Sequence, residues 1–501
     1  MTLKTKFSAF FLNRKLFLIP ALLVFIPLMF LNLRSDHDWG DDFAQYLAQA
    51  DNIVHGKPIA ATGYIYNPHY PSLGPKAYPP GFPLMIAPIV AKYGNQVVPY
   101  NYFISVLLIL TALFSVLLLC KKAGWPAAIL LSAVIYYNPY TLNLKAEIMA
   151  DIPFALLFAL FIWIVSRKFK HLATQWVLAG TVAGLAITVK SIGLVFPVAL
   201  LVFSLQHIVI QFYKKISFKK TWTDIKLPVV AATLSLAIHM GFYLGFMRGT
   251  KGGGYLNIYD IDLISEAVAT NIYTYSEAIR LFFINPDSPL FWIGFPAGAL
   301  ILAFFISGLI LSISKKPGLI DWITLIYIGL LLIYPYHNSG FRFLLPLAPL
   351  ILWYSLETLL IISSPKALKW IPAAIALPVL LTYLQLVPGY YIPEKKANDG
   401  PYAPHVSAAF NKVKFLTDDN SRIVFIKPRA LTRFAGRNSL SENPLSSASE
   451  IYQEFASLKP THFLLYSGMP DPALKHYLKT NQTEIRLLWR DEFFELYQRM
   501  K

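Results

Sequence analysis

The sequence predicts an α-helical polytopic membrane protein with about eleven transmembrane helices and a small C-terminal α/β domain outside the bilayer. Three observations carry this. The 501 residues are 56% hydrophobic and 15% aromatic, more apolar than a soluble chain of this size. Apolar runs recur at lengths near the roughly 20 helical residues that cross a 30 Å hydrocarbon core. After residue 391 the character changes: no spanning run follows, and residues 392–501 carry 16 Lys/Arg and 12 Asp/Glu.

The spans are expected near 16–34, 101–119, 125–140, 152–166, 173–189, 192–212, 228–247, 290–312, 320–336, 343–362 and 370–390. The first lacks a small-residue cleavage site and reads as an anchor. With the N-terminus inside, the short inner connections collect 18 Lys/Arg, and the longer outer ones hold 10. Of the 15 Asp and Glu before residue 392, 12 fall outside. This predicts a multi-pass protein of the cytoplasmic (inner) membrane with its C-terminal domain outside, in the periplasm. It also absorbs much of the net charge of +17, so no nucleic-acid partner is expected. The single cysteine, Cys120, excludes an intrachain disulfide framework and cysteine-rich metal sites.

Residues 1–391 then form the membrane domain, with long outer loops at 35–100 and 248–289. In the first loop, Phe43, Tyr46, Leu47, Ala50, Ile53 and Val54 recur at helical spacing, and Gly56 with Pro58 ends the run. A second apolar segment, PPGFPLMIAPIVAKYG, is interrupted by Pro83 and Pro88. Both read as helices lying on the membrane surface. In the tail, RIVFIK and THFLLYS read as strands, SSASEIYQEFASL and DPALKHYLKT as helices, and IRLLWRDEFFELYQR as two strands around a tight turn.

Candidate chemistry gathers in the outer segments. Asp41 and Asp42 open the first loop helix. Asp42 has Gln45 three residues on, a capping-box spacing, whereas Asp41 has no such structural task and could accept a proton from an attacking group. Glu147 and Asp151 are four residues apart and share a helical face, and Asp151 could equally cap the span that follows. Outer cations suited to a phosphate leaving group include Lys76, Lys190 and Arg342; a snorkelling interfacial role also accounts for Arg342. The KGGG run at 251–254 could cradle phosphate or serve as a flexible loop. Tyr64, Tyr66, His69, Tyr70 and Tyr78 suit sugar or headgroup contacts, and an aromatic belt explains them equally. The basic run KPRALTRFAGR reads as a solvated helix face.

Taken together, GDDFAQYLAQADNIVHGK, YPPGFPL, KAEIMADIPFALLF and FRFLLPLAPL resemble the membrane-integral GT-C glycosyltransferases, which include bacterial relatives of protein O-mannosyltransferases and the lipid A aminoarabinose transferase. The resemblance implies a polyprenyl-phosphate-linked sugar donor, a lipid, glycan or protein acceptor, and transfer at the outer membrane face. It implies Asp41 as base, Asp42 as its acidic neighbour, Glu147 as the acid of the second loop and Arg342 facing the lipid phosphate. Lys190, Lys76, Asp151 and Tyr78 complete the expected substrate contacts. A divalent cation (Mg or Mn) held by Asp41, Glu147 and phosphate oxygens is compatible with that chemistry. The second acid is often Glu in the family, so Asp42 departs from its pattern.

Three other readings compete. A transporter or lipid flippase needs ionisable groups at mid-bilayer and repeated halves, and neither is evident. A scaffold for the tail leaves Asp41, Glu147 and Arg342 unexplained. A lipid-linked polysaccharide ligase or polymerase would use similar donors.

Overall fold

The computed structural model describes residues 14–248, 250, 261–283, 288–335, 340–364, 370–385, 387–390, 397 and 399–500. Each of the eleven predicted spans carries an apolar helix. Six helices are long and apolar enough to cross a membrane: Val97–Ala123, Leu172–Val189, Ser191–Tyr213, Phe218–Met247, Gly294–Lys315 and Gly340–Ile362. The chain is therefore a multi-pass membrane protein. Four predicted spans are occupied by shorter apolar helices, at Phe17–Met29, Trp125–Tyr136, Leu319–Ile333 and Ile371–Leu384. The remaining one, expected at 152–166, is a bent pair. The KGGG run lies outside the described residues.

The helix predicted in the first loop is observed as α1 (Asp41–Val54), and Gly56 follows at φ +65°. It is enclosed by protein on both its apolar and its polar side. Phe43, Ala44, Leu47 and Ala50 are fully buried, and so are Gln45 and Gln49 on its polar side. The glutamines are satisfied by the backbone of residues 76–78. Gln45 Nε2 donates to Lys76 O at 2.6 Å, and Gln49 exchanges two bonds with the Tyr78 backbone at 2.9 and 3.0 Å. Buried amides must find such partners, so this pairing fixes the loop against the helix. The second apolar segment forms α2 (Gly81–Tyr93) and packs on α1.

The bent pair is made of α3 (Pro139–Ala146) and α4 (Asp151–Val165), which meet at 116°. Asn138 caps α3 by accepting from the Tyr140 N–H at 2.8 Å. The Glu147–Ala150 corner is carried by this break.

The C-terminal domain holds a five-stranded sheet of β1 (Arg422–Val424), β2 (Asn438–Leu440), β3 (His462–Tyr466), β4 (Ile485–Arg490) and β5 (Phe494–Arg499), in the order β2-β1-β3-β5-β4. β1 runs parallel to β2 and β3, and β5 is antiparallel to β3 and β4. The predicted β4–β5 hairpin turns at Asp491, whose Oδ1 accepts from the Phe493 and Phe494 N–H groups. Helices Ala448–Leu458 and Pro472–Thr480 stand where the sequence placed them, and the first has a capping box between Ser447 and Glu450. Alternation along the strands separates two faces. Val424, Phe463 and Leu440 meet those two helices in a local cluster. Ile423, Leu464 and Phe494 join a core that continues through Trp39 and Phe43 into the membrane helices. The first loop also extends the sheet, since Tyr64 bridges Ser439 in parallel, with Ile65 N donating to Ser439 O at 2.8 Å.

Candidate active site

Asp41 and Asp42 occupy the first turn of α1, whose N-cap is Gly40. Asp42 is therefore inside the helix, not capping it, and Gln45 is committed to Lys76 O and Thr62. The capping-box reading of Asp42 fails because the helix starts two residues earlier, with Gly40 rather than Asp42 at the N-cap.

The two carboxylates diverge. Asp41 turns toward a short helix of the C-terminal domain, α5 (Pro428–Ala435), and its Oδ1 accepts the Ala430 N–H at 3.0 Å. That N–H belongs to the first turn of α5 and has no intrahelical acceptor, so a carboxylate there also meets the positive end of the helix dipole. Asp41 is 7% exposed, and burial pushes its carboxyl above the usual range despite the nearby Arg429.

The Asp42 side chain is 26% exposed. Its Oδ1 accepts from Tyr78 Oη at 2.6 Å and from Arg429 Nη1 at 2.9 Å, and its Oδ2 lies 3.6 Å from Arg342 Nη1. Burial works to raise the Asp42 carboxyl, but Arg429, Arg342, the Tyr78 hydroxyl and Lys190 together hold it below the usual carboxylate range. Asp41 is thus the more enclosed of the two, while Asp42, though held by Arg429 of the same domain, keeps a partly exposed side.

Arg342 and Lys190 flank this carboxylate. Arg342 lies over the Phe343 ring and 3.4 Å from Met149 Sδ. Lys190 sits at the corner between Leu172–Val189 and the following helix, is ion-paired to Asp151, and lies 4.5 Å from the Phe343 centroid. Asp42, Tyr78, Arg342, Lys190 and Asp151 are thereby brought together. Lys76 is partly buried and makes no ion pair among the described residues.

Glu147 belongs to a second cluster. Its Oε2 is 3.1 Å from His37 Nε2, and Arg34 Nη1 is 3.3 Å from its Oε1. His37 Nδ1 is 3.4 Å from Asp38 Oδ1, which accepts the Gly40 N–H at 3.0 Å. One ligand atom from each of His37, Asp38 and Glu147 falls within 4.8 Å of the others. The expected metal pair of Asp41 and Glu147 is not brought together; Asp38, three residues earlier, takes the place of Asp41. An imidazole and two carboxylates suit a divalent transition metal. Gly40 keeps the cradle open, since a Cβ there would stand 3.2 Å from Asp38 Oδ1 and 3.4 Å from Glu147 Oε2. Burial would lower the His37 pKa, but Glu147 and Asp38 carry it to about 9.

Two contributors were not foreseen. His37 was passed over although it stands between two acids in DHD. Arg429 was read as part of a solvated helix face, yet its side chain is fully buried. Only the spacing of its helix could have hinted at this, since Ala430, Leu431 and Ala435 line one buried side.

No protein-family model and no curated protein matches the sequence. Solved structures do match in fold. ArnT from Cupriavidus metallidurans in the apo state aligns with 99% of this chain and 98% of its own, at 12% identity and a TM-score of 0.56. The same protein bound to undecaprenyl phosphate aligns over 96% and 97%, at 13% identity and a TM-score of 0.55. The Archaeoglobus fulgidus oligosaccharyltransferase, solved with Zn and sulfate, aligns with 90% of this chain and 68% of its own, at 14% identity and a TM-score of 0.54. At these identities the likeness is one of architecture, and the fold of this chain is that of the GT-C glycosyltransferases.

Proposed function

We propose that this protein is a glycosyltransferase that moves a sugar from a polyprenyl-phosphate donor to an acceptor at the outer face of the cytoplasmic membrane. The observation that carries the reading is a partly exposed carboxylate, Asp42, beside two partly exposed cations, Arg342 and Lys190. Undecaprenyl phosphate in one structural neighbour supports the donor class.

Asp42 accepts the proton of an acceptor hydroxyl or amine as that group attacks the anomeric carbon. The bond between that carbon and the phosphate oxygen breaks, and its electron pair leaves with the lipid phosphate. Arg342 and Lys190 meet the growing negative charge. In the structure these cations are occupied by Asp42 and Asp151. An arriving phosphate competes for both, which relaxes the charge pairing on Asp42 and strengthens it as a base. Tethering in the bilayer confines the donor and lowers the entropic barrier to encounter. His37, Asp38 and Glu147 would hold a divalent cation, which would supply positive charge beside the same α1 turn.

The test is a purified-protein assay with a labelled polyprenyl-phosphate sugar. Acceptor-dependent release of polyprenyl phosphate is expected. Translocation of the intact labelled lipid without release would instead make the protein a flippase and defeat the proposal.

A further inference from the structure

We propose that Arg429 is a positioning residue through which the C-terminal domain clamps Asp42, so that the candidate site is complete only while that domain is docked on the first loop. This rests on the reading of Asp42 as the base. No part of the expected chemistry of the membrane domain required the tail to reach the carboxylate, and the geometry assigns it that place.

Among the described residues, Arg429 heads the fully buried side chains by volume. Its fork is used on two segments at once, α1 and the loop before α2. Nη1 donates to Asp42 Oδ1 and Tyr78 Oη, each at 2.9 Å, and Nη2 donates to Pro75 O at 3.2 Å. Nε lies 3.8 Å from Asp41 Oδ2. The guanidinium also stands over the Tyr64 and Tyr78 rings, at 4.8 and 5.1 Å from their centroids. The loop is shaped around it: Gly74 has φ +111°, and a Cβ there would come 2.8 Å from Nη2. A planar fork used in several directions cannot be replaced by a lysine point charge.

Asp42 is faced by Asp41 from its own helix, Tyr78 from the loop before α2, and Arg342 from Gly340–Ile362. Lys190 faces it from the corner after Leu172–Val189, and Arg429 faces it from α5; Lys427, just before α5, faces Asp41. Of these cations, Arg342 and Lys190 are partly exposed, at 27% and 23%, and available to a phosphate. Arg429 is enclosed and holds Asp42 in either state. Without it, the neighbouring carboxyls of Asp41 and Asp42 on one helical turn would lose the guanidinium they share, and Asp42 would protonate at a higher pH.

The experiment uses the full-length protein in liposomes, comparing Arg429→Ala, Arg429→Lys and Arg433→Ala. Arg433 lies on the same helix and pairs with Asp51 and Asn95, away from Asp42. Carbodiimide labelling of Asp42, which requires the protonated carboxyl and is read by mass spectrometry, follows its titration without reference to activity. For Arg429→Ala, kcat should fall about 100-fold with donor KM within about threefold, and the acid limb and labelling midpoint should both rise by about one pH unit or more. Arg429→Lys should restore the limb but only part of kcat. Arg433→Ala should lower the melting temperature and leave the limb in place. A wild-type limb and labelling midpoint in Arg429→Ala, or an equal shift in Arg433→Ala, overturns the proposal. If Arg429→Ala does not fold, Arg429→Lys decides, and wild-type kcat there overturns it. Absence of sugar transfer by the wild type defeats the proposed function, while the labelling midpoints still decide whether Arg429 clamps Asp42.

Discussion

Asp41 and Asp42 are chemically identical neighbours, and only their surroundings separate them. One successive residue on a helix turns the side chain by about 100°, enough to send Asp41 to the Ala430 N–H and Asp42 to the partly exposed side beside Arg342. Asparagine keeps the shape of either residue and removes its charge. Asp42→Asn should therefore lower kcat by about 100-fold or more with donor KM nearly unchanged, as loss of a general base does. Asp41→Asn should retain most of kcat and lower the melting temperature instead, because the Ala430 N–H keeps an acceptor but loses its charged one. Steady-state kinetics and thermal unfolding of the two variants read the difference. The residue types were legible in the sequence, as were Arg342, Lys190, Tyr78 and Asp151. The roles were not, because a capping spacing in Asp42–Gln45 looks the same whether the helix starts at residue 41 or 43. His37 and Arg429 were missed for a related reason: their importance lies in partners 110 and 387 residues away, Glu147 and Asp42 respectively.

Elements whose pattern is local were read correctly. α1 was written in its apolar stripe, and the β4–β5 hairpin and the two helices beneath the sheet in short-range periodicity. The environment of α1 was not, since a stripe of apolar residues tells that one face is buried but not what happens to the other. Its polar side turned out to be buried as well, with Gln45 and Gln49 gripping the segment that carries Tyr78. Gln49→Leu should leave the Tyr78 N–H and C=O without their partners in the interior, costing about 2–4 kcal/mol. Because Tyr78 donates to Asp42, the same change should lower activity at temperatures where the protein stays folded. Denaturation and transfer assays on one preparation test both halves. The break between α3 and α4 was equally hidden. The sequence showed one span at 152–166, whereas the bend that presents Glu147 depends on helices packed around it.

Across the whole molecule, the tail is less separate than its composition suggests. Phe425 packs edge-on against Trp39 of the first loop and Phe410 of the tail, with ring centroids 6.0 and 5.9 Å apart, and all belong to the core shared with the membrane helices. Phe425→Ala should cost about 3–5 kcal/mol. It should also lower the melting of loop and tail together, seen as coincident shifts in tryptophan fluorescence and in protease cleavage of both segments. Separate transitions would show that the two cores are independent. By itself the sequence determined the polytopic helical class, the tail with its mixed helices and strands, and the pool of acids and cations offered for chemistry, because hydropathy and periodicity are set by residues close in the chain. The tertiary structure decided which of two adjacent aspartates stays partly exposed, that His37 and Asp38 join Glu147, and that an arginine from the tail closes on Asp42. Those outcomes depend on burial and on contacts between segments hundreds of residues apart, and no local pattern records them.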